Sequence, residues 1–415
     1  MNSTNPAAGD VTTIDLTMTP EDATVHDTLC ALQAPSGMQR VSDLITAVGG
    51  RTARGSAFNP MEVKRVTERL LAAGHATRDN QGRVQATGPH AAERFRSMML
   101  DTVRGTAWFD AWRKLNDFDR AYSLGFQEEE QLAAAMRLVL FGGRKLSHVR
   151  RLGELAYSFT HLWVGALQKA VLQPFDSALF GSLEPPLQTD LAQRLMTLLS
   201  GFSEVGVRPL EDWLLRAHAD PISASLVTAS LRLRLSETLL FRDQAEKARA
   251  MCANVSGASV NLHLSLFNIA EGQWSAGATE FELAAKQAVL DLGRRKHLAS
   301  PSISWLYVMA LLSQTTPAAW SKARKFVVSE AGLSPAKAAP GKRDADPYSY
   351  WGVWIDAIDQ RMGDAPKTAQ RFCLARREHS GLQSLQYLHH LMLAAWLRVE
   401  VIAPADLRAH AERLA

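Results

Sequence analysis

Three cysteines, a scatter of histidines and a few dense charge clusters are the side chains in this sequence best equipped for chemistry. Cys30, Cys252 and Cys373 stand far apart, and no two have the CxxC spacing of a thiolate metal site or a redox pair. Neither a disulfide framework nor a zinc site is expected, and a reducing cytoplasm suits such a chain. His389 and His390 are adjacent, so on a helix they point about 100° apart and cannot share one face. With His379 as a third ligand they make a weak set, and they read as helix surface residues; no metal centre is expected. Glu128, Glu129 and Glu130 look like paired carboxylates, but they open a helical phrase, where acids complement the helix dipole. Trp108 and Trp112, four residues apart, point to packing before base stacking. Gly293-Arg294-Arg295-Lys296-His297 follows a helical phrase ending near Leu292, where cations satisfy terminal carbonyls. The other use of Arg294, Arg295 and Lys296 is contact with a phosphate or an acidic partner, with Arg324, Lys325, Lys342 and Arg343 as candidate neighbours.

The motifs of common catalysts are missing. There is no GxxxxGK[ST], no GxGxxG after a strand, no HExxH, no GxSxG and no calcium-loop pattern. No cofactor and no catalytic residue is assigned on this basis. A cysteine and a histidine meeting in space is the remaining route to a nucleophile, yet the cysteines sit in apolar helical phrases that favour buried, inert thiols.

The elements around these residues are helical. The chain has 415 residues, 47% hydrophobic and 21% charged, with a net charge of +4. That excess permits nucleic-acid contact without demanding it, so the placement of the basic residues decides the matter. The N-terminus has no signal-peptide pattern, and no apolar run reaches the roughly 20 residues of a membrane span, so no membrane association is expected.

Residues 1–22 are polar and Thr-rich and read as a disordered leader. Residues 23–90 read as a winged-helix-like domain. Val25, Leu29 and Leu32, then Val41, Leu44, Ile45 and Val48, mark two helices. Asn59 and Pro60 open a third with Val63, Val66, Leu70 and Leu71 on one face, and Asp79-Asn80-Gln81-Gly82 is a hairpin turn. The third helix would then be the groove reader, with Lys64, Thr67 and Glu68 outward and Arg65 and Arg69 at its edge. Arg51 and Arg54 precede it, and Arg78 and Arg83 sit on the wing, where the phosphates of double-stranded DNA would lie. Residues 91–220 read as a helical domain. Residues 221–415 read as a degenerate tetratricopeptide-like array of helix pairs, interrupted by a mobile Pro/Ala/Lys-rich loop at 334–346. The last helical phrase stops at Ala415 without a cap, which suggests truncation of a longer polypeptide.

The stretch around "AEGQWSAGATEFELAAKQAVLDLGRRKHLASPSISWLYVMALL" resembles part of the N-terminal, non-motor region of bacterial Swi/Snf-family helicase-like ATPases. Gly272, Trp274, Phe281, Gly293, Arg294, Arg295, Lys296, Leu306, Tyr307, Ala310, Leu311 and Leu312 carry the resemblance. It implies an accessory region that engages DNA or a partner for a motor lying downstream in the same polypeptide, and it carries over no catalytic residue. The expectation is therefore a mainly α, non-catalytic region that binds DNA, a protein or both. The alternative is a stand-alone helical-repeat scaffold that recognises a protein partner.

Overall fold

The computed structural model describes residues 18–199, 207–242, 244–293, 301–333 and 350–361. The fold is mainly α, with one two-stranded sheet among the described residues. The chain divides into two compact units, 1–188 and 189–415, where the sequence placed boundaries at 90 and 220.

The first unit begins with α1 (Pro20–Leu32), inside the stretch read as a leader. Thr19 and Asp22 form a reciprocal capping box there, and Pro20 presets the first turn. α2 (Met38–Ala47) starts at Gly37 without a side-chain cap, whereas α3 (Pro60–Ala72) has a second capping box from Asn59 and Glu62. Val25, Leu29, Val41, Leu44, Ile45, Val63, Val66 and Leu70 are at most 2% exposed, so the three helices share one core. A hairpin follows, β1 (Ala76–Arg78) antiparallel to β2 (Val84–Ala86). Its turn closes because Asp79 Oδ1 accepts from the amides of Gln81 and Arg83, and Gly82 takes a left-handed φ of 77°. Ser36 exchanges two backbone hydrogen bonds with Val84, at 2.9 and 3.0 Å, and pins the α1–α2 connection to the hairpin.

α4 (Pro89–Leu100) stops at Asp101, whose carboxylate turns the corner by capping Val103 and Arg104 at the start of α5 (Thr102–Leu115). α5 ends at Leu115, after which Asn116 to Arg120 form turns and Asp117 takes a φ of 45°. α6 (Glu129–Leu138) then runs into a π-helix over Val139–Gly143. The stretch from Lys145 to Leu172 is divided into α7 (Leu146–Leu155) and α8 (Thr160–Leu172). The break lies where the Leu155 carbonyl accepts from Leu124 and the Phe159 amide turns back to Ala156. Phe159 meets Phe126 edge-on there. Asp176 caps the short α9 (Ser177–Gly181), and Pro185-Pro186 opens α10 (Pro185–Leu199), along which the two units divide.

In the second unit α11 (Arg208–Ala219) leads to α12 (Ala229–Phe241), α13 (Ala245–Cys252), α14 (Ala258–Ala270), α15 (Trp274–Leu292), α16 (Pro301–Ser313), α17 (Pro317–Glu330) and α18 (Tyr350–Arg361). From α12 onward each helix packs on the next, and α14 also meets α16. The α14–α15 turn uses Gly272 at a φ of 92°, and Gly277 lets the two helices approach: a Cβ there would lie 2.9 Å from the Ser265 carbonyl. Polar links tie neighbouring helices together. Arg249 reaches Glu271 and Asn268, Glu282 accepts from Tyr307 and Lys322, and Arg324 pairs with the fully buried Asp359.

Several arginines hold carbonyls, not ligands. Arg137 donates to the carbonyls of Lys169, Ala170 and Gln173 at the end of α8 and to Gln33 Oε1. Arg144 holds the carbonyls of Met99 and Phe141, and Arg151 those of Phe118, Asp119 and Ala121. Arg232 holds those of Met251 and Ala253. Part of the positive charge therefore serves the fold. No described helix is long and apolar enough to cross a membrane.

Candidate functional site

The seven basic residues assigned to the N-terminal element fall into two groups. Lys64, Arg65 and Arg69 stand on the solvent face of α3, and Arg51 and Arg54 are exposed in the loop before it. Thr67 departs from the expectation. It is fully buried, with its hydroxyl 3.8 Å from Met38 Sδ, because α3 packs that face against α2. Met61, 73% exposed, occupies the outward surface instead.

Carboxylates answer most of this charge. Glu21 accepts from the Ala53 amide at 2.9 Å and from Arg65 at 3.4 Å, which brings the Arg51–Arg54 loop and α3 to the first turn of α1. Asp22 pairs with Arg69. Burial opposes the charge on Asp22, but hydrogen bonds from Thr19 and Arg69 outweigh it and hold the carboxyl below its usual range. Arg78 pairs with Glu68 at 2.6 Å, and Arg83 with Asp79 at 2.6 Å. Among the described residues Arg51, Arg54 and Lys64 make no ion pair. The Arg78–Glu68 pair is the exposed one, and exposed pairs are worth about 0–1 kcal/mol, so a polyanion can exchange it.

Arg83 belongs to a different place from α3. Its side chain lines a cavity of about 480 Å³ inside the first unit, walled by the α1–α2 connection, the start of α2, the end of α5, residues 124–127 and α6. Trp112, Phe126 and Leu138 supply the apolar wall, and Arg40, Asn116, Gln127 and Gln131 the polar groups. Arg40 donates to Asn116 Oδ1 at 3.3 Å, and Asn116 in turn donates to the Trp112 carbonyl. The sequence pattern did not single out Arg40 or Asn116. They lie 76 residues apart, and no local pattern signals their meeting.

A cysteine and a histidine do meet, at Cys30 and His26 one turn apart on α1, with Sγ 3.7 Å from Nε2. Burial pushes the thiol up to about 12 and the imidazole down to about 4. Both groups are therefore neutral near pH 7, the reverse of a thiolate–imidazolium pair. Glu130 and Glu129 both pair with Lys169 of α8, so these acids work as helix-to-helix contacts. Trp108 and Trp112 are 7% and 4% exposed and belong to the core. No group of three or more metal-ligating side chains occurs among the described residues.

α15 ends at Leu292, as its sequence predicts, and Gly293 closes it with a left-handed φ of 63°. Arg294, Arg295, Lys296 and His297 lie outside the described residues, as do Lys342, Arg343, Cys373, His379, His389, His390 and the helix pairs read after 362. No family model matches this chain, and no curated protein or solved structure matches it.

Proposed function

We propose that this chain is a non-catalytic binding region that engages double-stranded DNA through the outward face of α3 and the hairpin, a winged-helix-like element, in the service of a Swi/Snf-type motor in the same polypeptide. The observation that carries the reading is the exposure of Lys64, Arg65 and Arg69 on a helix capped at its start and followed by a hairpin. A buried α3 would have favoured a purely structural role. The helix pairs of the second unit, tetratricopeptide-like in order, would hold a protein partner.

The test is binding of the full chain to a labelled random duplex across a salt series, beside the Lys64→Ala/Arg65→Ala/Arg69→Ala variant. If all three cations neutralise phosphates, their removal should flatten the log–log salt slope by about 2.7 units. Absence of binding at low salt would sink the DNA reading. The second reading, a scaffold for a protein partner, is favoured by the ion pairs of Arg65, Arg69 and Arg78, which leave α3 carrying both signs of charge.

A further inference from the structure

We infer that the 480 Å³ cavity of the first unit binds a small organic anion with an aromatic or apolar body, its charged end held by Arg40. The volume lies within the roughly 300–1,000 Å³ of small-molecule sites. The wall is apolar and firm: Trp112, Phe126 and Leu138 are 4%, 7% and 1% exposed. The polar lining consists of donors and amides, with no aspartate or glutamate.

Arg40 is the anchor. Among the described residues its side chain donates to the neutral oxygen of Asn116, which leaves most of its five N–H donors for an occupant. Arg40 is itself exposed to solvent, so its guanidinium sits at the mouth of the cavity, and no acid lines the cavity beside it. By contrast, the hydrogen bond that Arg113 donates to the Asp119 carboxylate raises its proton affinity. Arg83 also lines the cavity, but Asp79 holds it and Glu128 stands 4.0 Å away, so its share is smaller. Asp43 lines a neighbouring hollow beyond Arg40 and is engaged by Gln39. α2 begins at the cavity with Gly37, which brings no capping side chain, so first-turn amides add to the positive end. A carboxylate or phosphate on a flat hydrocarbon body matches this division of charge and wall.

An occupant would touch the hairpin through Arg83 and the helices behind it through Trp112 and Gln131. It would thereby tie the element that carries α3 to α5 and α6. The site itself needs no DNA, so its test stands apart from the duplex experiment.

The full chain is titrated calorimetrically with 2-naphthoate and with phenyl phosphate, with 2-naphthamide as the neutral counterpart. Saturable one-to-one binding of at least one anion is expected, with the amide at least tenfold weaker. Arg40→Gln should weaken the anion at least tenfold, and Arg40→Lys should recover part of the loss. Bound anion should slow hydrogen exchange in residues 34–40 and 124–131. Failure of both anions to bind overturns the inference. So does an amide that binds as well as the acid, or an Arg40→Gln protein, folded by circular dichroism, that binds unchanged.

Discussion

Replacing Gly142 with alanine sets two known effects against each other. Alanine in place of glycine in a helical segment gains about 0.5–1 kcal/mol by restricting the unfolded chain. At this position, however, an added Cβ would lie 2.8 Å from the Gly105 carbonyl oxygen and 2.9 Å from Phe109 Cβ. One of those neighbours is backbone and cannot swing aside. Moving it disturbs the packing of α5 on the π-helix, where the Phe109 and His148 rings also meet at a tilt of 36° with centroids 4.7 Å apart. Overpacking costs about 1–3 kcal/mol, and a rigid neighbour favours the upper part of that range. The net expectation is a loss of about 1–2 kcal/mol. Gly153→Ala is the control, because the nearest atom to its Cβ is Trp163 Cη2 at an ordinary 3.5 Å. That variant should be neutral or gain up to about 1 kcal/mol. Native-state hydrogen exchange reads both locally. Amides of α5 and residues 139–143 should exchange about 5–30-fold faster in Gly142→Ala and no faster in Gly153→Ala. Unchanged or slower exchange in Gly142→Ala would refute the claim that backbone contact holds this crossing.

Arg137→Met should free three carbonyls at the end of α8 and cost about 2–4 kcal/mol, with faster exchange over residues 160–173; unchanged exchange there would show the clamp to be dispensable. Burial of His26, aided by Arg94, lowers its proton affinity from 6.5 to about 4, so the unfolded chain binds more protons between those values. Stability should therefore fall as pH drops from about 6.5 to about 4, by up to about 3 kcal/mol, and His26→Leu should flatten that slope in urea titrations at several pH values. Cys30 and Cys252 should resist iodoacetamide in the native protein and react after denaturation, because burial raises both thiols; rapid native labelling of Cys30, followed by mass spectrometry, would contradict the buried neutral pair.

What the sequence determined by itself was local. Asn59 with Pro60 starts α3, Asp79 and Gly82 close the hairpin, and Gly272 joins α14 to α15, because caps and turns depend on residues three or four apart. The apolar spacing marked the core faces of α1, α2 and α3 for the same reason. Tertiary structure decided the rest. Thr67 sits on a face that looked polar and open, but α2 covers it. The helical stretch after Lys145 breaks at a carbonyl claimed by Leu124, and the acids that answer Arg65 and Arg69 come from a helix more than forty residues earlier. The cavity at Arg40 is the extreme case, built from the α1–α2 connection, the hairpin and three later segments. Periodicity reports which face of a helix is apolar; only packing reports what stands against it.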